Sequence, residues 1–421
     1  MTLTLQSLRA LEILDSRGRP TLQVEAILAN GVRAQAQVPS GASTGTHEAH
    51  EWRDGGPWYG GKGVRGAARH VTEIFAPALA GFPVEDQRAL DARLLAIDGS
   101  PNKSRTGANA LLGISCAVAR AVSVARQEPL YRTLSLGAPR LPVPMINILS
   151  GGLHAGGNVE FQDFLIIPHG FATLAEALEA TVRIHATTGE LLRRSRYVLT
   201  GVADEGGWGP RLPSNEEALF LLTVAIAEAG YAPGDQVSIA LDVAATHFYR
   251  EGKYHLASEK RSLSSDEMVD LLARWCDSFP VVSIEDALAE DDWDGWVRLT
   301  ERLGHIQLVG DDLFTTNAAR LRQGIERRAA NAVLVKMNQI GTLTETLDVC
   351  RQASAAGYNA VISARSGETE DSFLADLATA TGAGQIKIGS ITRSERLAKY
   401  NRLLELEAWE GLPFAGEKPC R

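Results

Sequence analysis

The sequence predicts an α/β protein, a TIM-type β/α barrel carrying a smaller α+β domain at its N-terminus. Three observations lead there. Short runs rich in Val and Ile recur through the later part of the chain, and each ends on a charge: VSIALD on Asp242, VVSIED on Glu285 and Asp286, IQLVGDD on Asp311 and Asp312, NAVLVKMNQ on Lys336, NAVISARS on Arg365 and Ser366, QIKIG around Lys387. Runs this short and apolar read as strands buried on both faces. Helical-looking segments such as Ser265–Asp277 and Asn317–Ala329 separate them, and strand alternating with helix implies a parallel sheet. Thirdly, the closing residues from Asp242 to Lys387 lie 43, 26, 25, 29 and 22 positions apart, which suits one strand, one helix and two loops per step.

In such a barrel the carboxyl ends of the strands share one mouth. Asp242, Glu285 and Asp311 would therefore meet Lys336, Lys387 and Arg365, although they are distant in sequence. One charge closing a strand is ordinarily a solvated loop residue; a succession of them argues for a site. Three acids on three strand ends make a nest for a hard divalent cation such as Mg2+.

The chain has 421 residues, a net charge of −9 and 45% hydrophobic residues, which fits a barrel plus a smaller partner. No basic concentration points to nucleic acid or to a membrane surface. Cys116, Cys276, Cys350 and Cys420 lie far apart with no CxxC pairing, so neither a zinc site nor a disulfide framework is expected, and a reducing cytoplasm is the default. The N-terminus reads as mature sequence, and no apolar run is expected to be long enough to span a bilayer.

Taken in order, residues 5–38 alternate apolar and polar around Asn30-Gly31, a hairpin signal. VPSGASTGTHEAHEWRDGG follows, a small-residue loop with Ser40, Gly41, Ser43, Thr44 and Gly45 that is expected to be mobile and to close over something. GPWYGGKG (56–63) has the offsets of a phosphate loop. Gly63 stands where Ser or Thr should be and no buried strand precedes it, so that reading fails. Helical periodicity runs from Val64 to about Gln127. A boundary falls between Gln127 and Leu141, giving a capping domain of 1–135 and a barrel of 136–421. Two extended runs then bracket a glycine-rich loop with His154. TGVADEGGWGP (200–210) encloses Asp204 and Glu205 ahead of Gly206-Gly207, and a carboxyl so enclosed is expected to have a raised pKa and to serve as an acid.

ILDSRGRPT, VPSGASTG, GANALLGIS, LPVPMINI, GGLHAGG, DEGG, VSIED, VGDDLFTTN, VKMNQIGTLTET, RSGETEDSFLADL and RSERLAKYN together resemble enolase, from about Ile13 to Asn401. The resemblance implies an enolase-type modified (β/α)8 barrel with one antiparallel strand. It also implies Asp242, Glu285 and Asp311 as ligands of one Mg2+ and Ser40 in the lid as helping to hold a second. Lys336 is implied as general base and Glu205 as acid. Lys387 would contact the substrate carboxylate, Arg365 and Ser366 the phosphoryl group, and His154 would be the lid histidine. The substrate would be a phosphorylated or phosphonylated glycerate, and the assembly a homodimer or larger homo-oligomer. Two Mg2+ ions would offset charge built on the carboxylate, and nearby cations would favour a neutral Lys336.

The resemblance breaks inside the site. Asp163 stands where enolases carry glutamate, Ala364 where they carry histidine, and KIGSITRSER replaces a KTGAP-like segment; Ser150 and Leu153 are lesser changes. Losing an imidazole at 364 would admit a bulkier phosphorus substituent. The expectation is therefore an enolase-like enzyme of secondary metabolism, similar to carboxyphosphonoenolpyruvate synthase. The alternatives are a glycolytic enolase and an enolase-shaped binding or structural module with weakened catalysis.

Overall fold

A computed structural model describes residues 2–42 and 45–416; Ser43, Thr44 and Cys420 lie outside the described residues. The chain opens on an antiparallel sheet of β1 (Leu5–Leu14), β2 (Pro20–Leu28) and β3 (Arg33–Gln37), in that order. Gly31, at φ 86°, turns the hairpin, and Asn30 Oδ1 accepts from Val32 N at 3.1 Å. Helix Ala108–Arg126 lies across the sheet. Gly113 permits the close approach, since a Cβ there would stand 2.5 Å from Val24 Cγ2. That helix corrects one expectation: it is long and apolar enough to cross a bilayer, yet 83% of its apolar window is buried inside the protein. It is the core helix of this part of the fold.

The remaining strands are β4 (Val143–Ser150), β5 (Asp163–Pro168), β6 (Val237–Asp242), a small hairpin sheet of β7 (Tyr249–Arg250), β8 (Lys253–Leu256) and β9 (Arg261–Leu263), then β10 (Val281–Glu285), β11 (Gln307–Gly310), β12 (Ala332–Val335), β13 (Asn359–Ser363) and β14 (Gly384–Gly389). All but the hairpin sheet close into an eight-stranded barrel. Its axis is filled by side chains such as Met145, Leu165, Val282, Val309, Leu334 and Val361, so it is a packed core and not a pore. The helices read from periodicity form with their caps. Ser264 and Glu267 make a reciprocal capping box for Ser265–Ser278, and Asn317 accepts from the amides of Ala319 and Arg320 to start Ala318–Arg327.

Strand β5 runs antiparallel to both neighbours, whereas the other barrel pairs are parallel. Alternation of strand and helix predicts only parallel strands. Between β4 and β5, however, Gly151–Gln162 holds a single 3-10 turn and no crossover helix, and a connection of that kind returns the chain in the opposite sense. The inversion matters for chemistry. It brings the first residue of β5, Asp163, opposite the last residue of β6, Asp242.

Candidate active site

The mouth of the barrel collects most of the residues singled out by sequence. Asp242 and Glu285 end β6 and β10 and are register partners; Asp311 and Lys336 follow β11 and β12; Ala364, Arg365 and Ser366 follow β13; Lys387 lies on β14. Lys387 Nζ donates to Asp242 Oδ2 and Glu285 Oε2, each at 2.7 Å, and Lys336 Nζ donates to Asp311 Oδ2. One pocket is lined by His154, Gln162, Glu205, Asp242, Lys336, Ala364, Arg365, Ser366 and Lys387 together with lid residue Ala42.

The acids fit a hard cation. Burial and the charge of Asp242 push Glu285 well above the usual carboxylate range. At Asp242 and Asp311 burial acts the same way, but the ammonium groups of Lys387 and Lys336 outweigh it and hold both low. The two lysines thus supply the positive charge that packed carboxylates require. Gln162 adds an independent sign: its Nε2 donates to Asp242 Oδ2 at 3.2 Å, while its buried Oε1 has no hydrogen-bond partner among the described residues. Mg2+ is at home in such an oxygen-only donor set. The expected trio is not itself among the tightest groupings of the described residues. The closest carboxylate and imidazole clusters, with ligand atoms within 4.8 Å, are Asp286–Asp311–Asp312 and His154–Asp163–Glu205.

Two expectations about protonation are corrected. Burial would raise Glu205, but the charges of His154, Arg396 and Lys387 outweigh it and its pKa falls below the ordinary value. Burial instead raises Asp163, to about 6, against the pull of His154. At His154 burial is outweighed by Asp163 and Glu205, and the imidazole rises to about 9. Lys336 is likewise shifted upward, because Asp311 outweighs burial. Neighbouring cations lower it, as expected, but Asp311, one barrel strand away, decides the sign. The glycines beside Glu205 behave as expected. Gly206, at φ 95°, closes on Thr392, and its carbonyl accepts from Thr392 Oγ1 at 2.7 Å.

On the far side, Glu48 holds the Arg365 guanidinium at 3.1 and 3.2 Å, with Asn338 Oδ1 accepting at 2.9 Å. Ser366 Oγ accepts from Arg17 Nη1 at 3.1 Å and from Ala42 N at 2.8 Å. A larger cavity, about 340 Å3, opens on the lid side, with Glu48 and Asn338, the partners of Arg365, among its walls. Ser40 is not brought to the acids. Its hydroxyl accepts from Arg53 Nη2 at 2.7 Å and donates to Glu51 at 3.4 Å, and Arg53 in turn donates to Pro20 O of β2, which anchors the lid to the capping sheet. Sequence reasoning missed Glu48, Gln162, Asn338 and Arg396. Arg396, wholly buried, donates to the carbonyls of Arg365, Ser366 and Ile388 and so ties the ends of β13 and β14 together. Only the position of Gln162, beside Asp163, offered a signal.

The model of the Enolase, N-terminal domain matches residues 5–134, and that of the Enolase, C-terminal TIM barrel domain matches residues 138–418. The chain belongs to the enolase family. A protein named Enolase from Acidothermus cellulolyticus is 53% identical over 407 residues, which cover 96% of this chain and 94% of that protein. The protein is accordingly a hydro-lyase, and an enolase-type dehydration is its chemistry. This likeness supports the enolase family and not the narrower resemblance to carboxyphosphonoenolpyruvate synthase.

Proposed function

We propose that this enolase-family protein removes water from 2-phosphoglycerate to give phosphoenolpyruvate, with Mg2+. The observation that carries the reading is the single pocket lined by both Lys336 and Glu205, with Lys387, Arg365 and the acid Asp242 between them. With Asp311 turned to Mg2+, the charge that raises Lys336 would be taken up and its Nζ, then neutral, would accept the C2 proton, the released electron pair forming the C2–C3 double bond. As the C3–O bond breaks, the hydroxide would take a proton from the cluster of Glu205, His154 and Asp163, whose titrations belong to the group and not to one member. Lys387 would meet the substrate carboxylate, and Arg365 with Ser366 the phosphoryl group. Asp242, Glu285 and Asp311 would hold Mg2+, which when bound offsets the second negative charge formed on that carboxylate. Ser40 is assigned to the lid anchor.

The bulkier analogue inferred from Ala364 and Asp163 has less support. The likeness to a protein named Enolase favours 2-phosphoglycerate. We further infer a cap of 1–135 on a barrel of 136–421, a homodimer or larger homo-oligomer, and a cytoplasmic setting. The test offers purified protein, with Mg2+, 2-phosphoglycerate and its carboxyphosphono analogue side by side and follows the enol product. Turnover of 2-phosphoglycerate is expected. Turnover of the analogue alone would replace the proposal, and turnover of neither would point to a binding or structural module.

A further inference from the structure

Beneath the loop that carries Glu205, two polar side chains of β4 meet the carboxylate of Asp163. Asn147 Nδ2 donates to Asp163 Oδ1 and, at 2.8 Å, to Ser150 Oγ, while Ser150 Oγ donates to the same Oδ1 at 3.1 Å. The other oxygen, Oδ2, pairs with His154 Nδ1 at 2.9 Å, and His154 Nε2 faces Glu205 Oε1 at 3.7 Å. Asn147, Ser150 and Asp163 are buried, at 0%, 3% and 0% exposure.

The Glu205 loop rests on these groups. A Cβ at Gly207 would stand 2.7 Å from Asn147 Oδ1 and 3.0 Å from Ser150 Oγ, and Ser150 N donates to Trp208 O at 2.8 Å. The cluster therefore touches both the His154 pair and the backbone that carries Glu205. Yet Asn147, Ser150 and Asp163 are not among the residues lining the substrate pocket, whereas His154 and Glu205 are. Whatever these three contribute, they contribute through His154 and Glu205.

We propose that Ser150, with Asn147, is a positioning residue for the hydroxyl-departure half of the reaction, fixing Asp163 so that His154 is presented to Glu205. A carboxylate accepting two donors on one oxygen cannot turn about its own bond without losing both, so the other oxygen stays aimed at the imidazole. Asn147 alone is a weaker clamp. Its Oδ1 has no partner among the described residues, so once Ser150 Oγ is gone the amide is held only by its bond to Asp163 Oδ1. The proton-removing half, at Lys336 and Asp311, is built on other strands and does not share these bonds.

The inference rests on assigning Lys336 to the C2 proton and Glu205 with His154 to the hydroxyl. In D2O with Mg2+ and 2-phosphoglycerate, two rates separate the halves: entry of deuterium at C2 of recovered substrate, and formation of phosphoenolpyruvate. Ser150→Ala should slow product formation about tenfold in kcat, leaving KM and C2 exchange within about twofold. Asn147→Ala should show the same split, and Ser150→Thr, which keeps the hydroxyl, should restore most of kcat. Equal loss of both rates, or loss of neither, overturns the proposal. A second measurement needs no substrate and so survives an error in the substrate reading. The low-field proton resonance of His154 Nδ1–H, assigned by its loss in His154→Gln, should shift in Ser150→Ala and return in Ser150→Thr; a resonance that does not move overturns the proposal as well.

Discussion

At the scale of single residues, the site is a set of buried charges that hold one another in place, and removal of one leaves its partner exposed to the full cost of burial. Lys336→Ala should lower turnover by about 10³-fold and abolish C2 exchange, as expected for a lost general base; retention of exchange would remove Lys336 from that role. His154 supplies a pH test with a definite sign. Its folded pKa, about 9, lies above the ordinary 6.5, so its stabilising contribution is complete below about 6.5 and is lost as pH rises through 9. The difference in Tm between the wild type and His154→Gln should therefore shrink between pH 6.5 and 9, and a constant difference would show that the imidazolium is not held in this way. Two of the departures noted in the sequence, Asp163 and Ser150, prove to touch each other. A list of single substitutions hides that, because the residues lie on opposite sides of a loop and meet only when β5 pairs with β4.

At the scale of elements, what local chemistry could specify was legible. The Asn30-Gly31 hairpin, the helices after Ser264 and Asn317, and the glycines of the 200–210 loop all form where residue type demands them. Asn317→Ala removes a side chain that accepts from two helix amides and should cost about 1 kcal/mol in denaturant unfolding with little change in activity. Gly113→Val is a harsher case. A Cβ at 2.5 Å from Val24 Cγ2 has nowhere to go, so the helix must lift from the sheet, at a cost of about 1–3 kcal/mol read from the same unfolding curves. The inverted β5 was not legible from spacing or periodicity, since an apolar run has no direction; only the lack of a crossover helix before it sets the sense.

At the scale of the molecule, the mouth of the barrel is also a junction with the cap. Ser40 and Gly367 exchange backbone hydrogen bonds at 2.9 and 3.0 Å, which fastens the lid's root to the turn after Arg365 and Ser366, and Arg120 of helix Ala108–Arg126 pairs with Asp371 at 2.6 Å. If Mg2+ binds the folded acids, it should raise Tm as its concentration rises, a chelator should reverse the rise, and Asp242→Ala should abolish it; an unchanged Tm with Mg2+ would count against the ligand set. The sequence alone determined the class of fold, the order of the charged strand ends and the family, because apolar period, spacing and a long series of ordered motifs are local properties that survive without coordinates. It did not determine which charges neutralise which. Lys387 lies between Asp242 and Glu285, Lys336 on Asp311, and Glu48 on Arg365; the charge of Asp311 beside Lys336 and that of His154 beside Glu205 each turned a protonation expectation around. They depend on the closure of the barrel and on the seating of the cap, since Coulomb attraction and desolvation act through distance and burial, and neither is written in the order of residues along a chain.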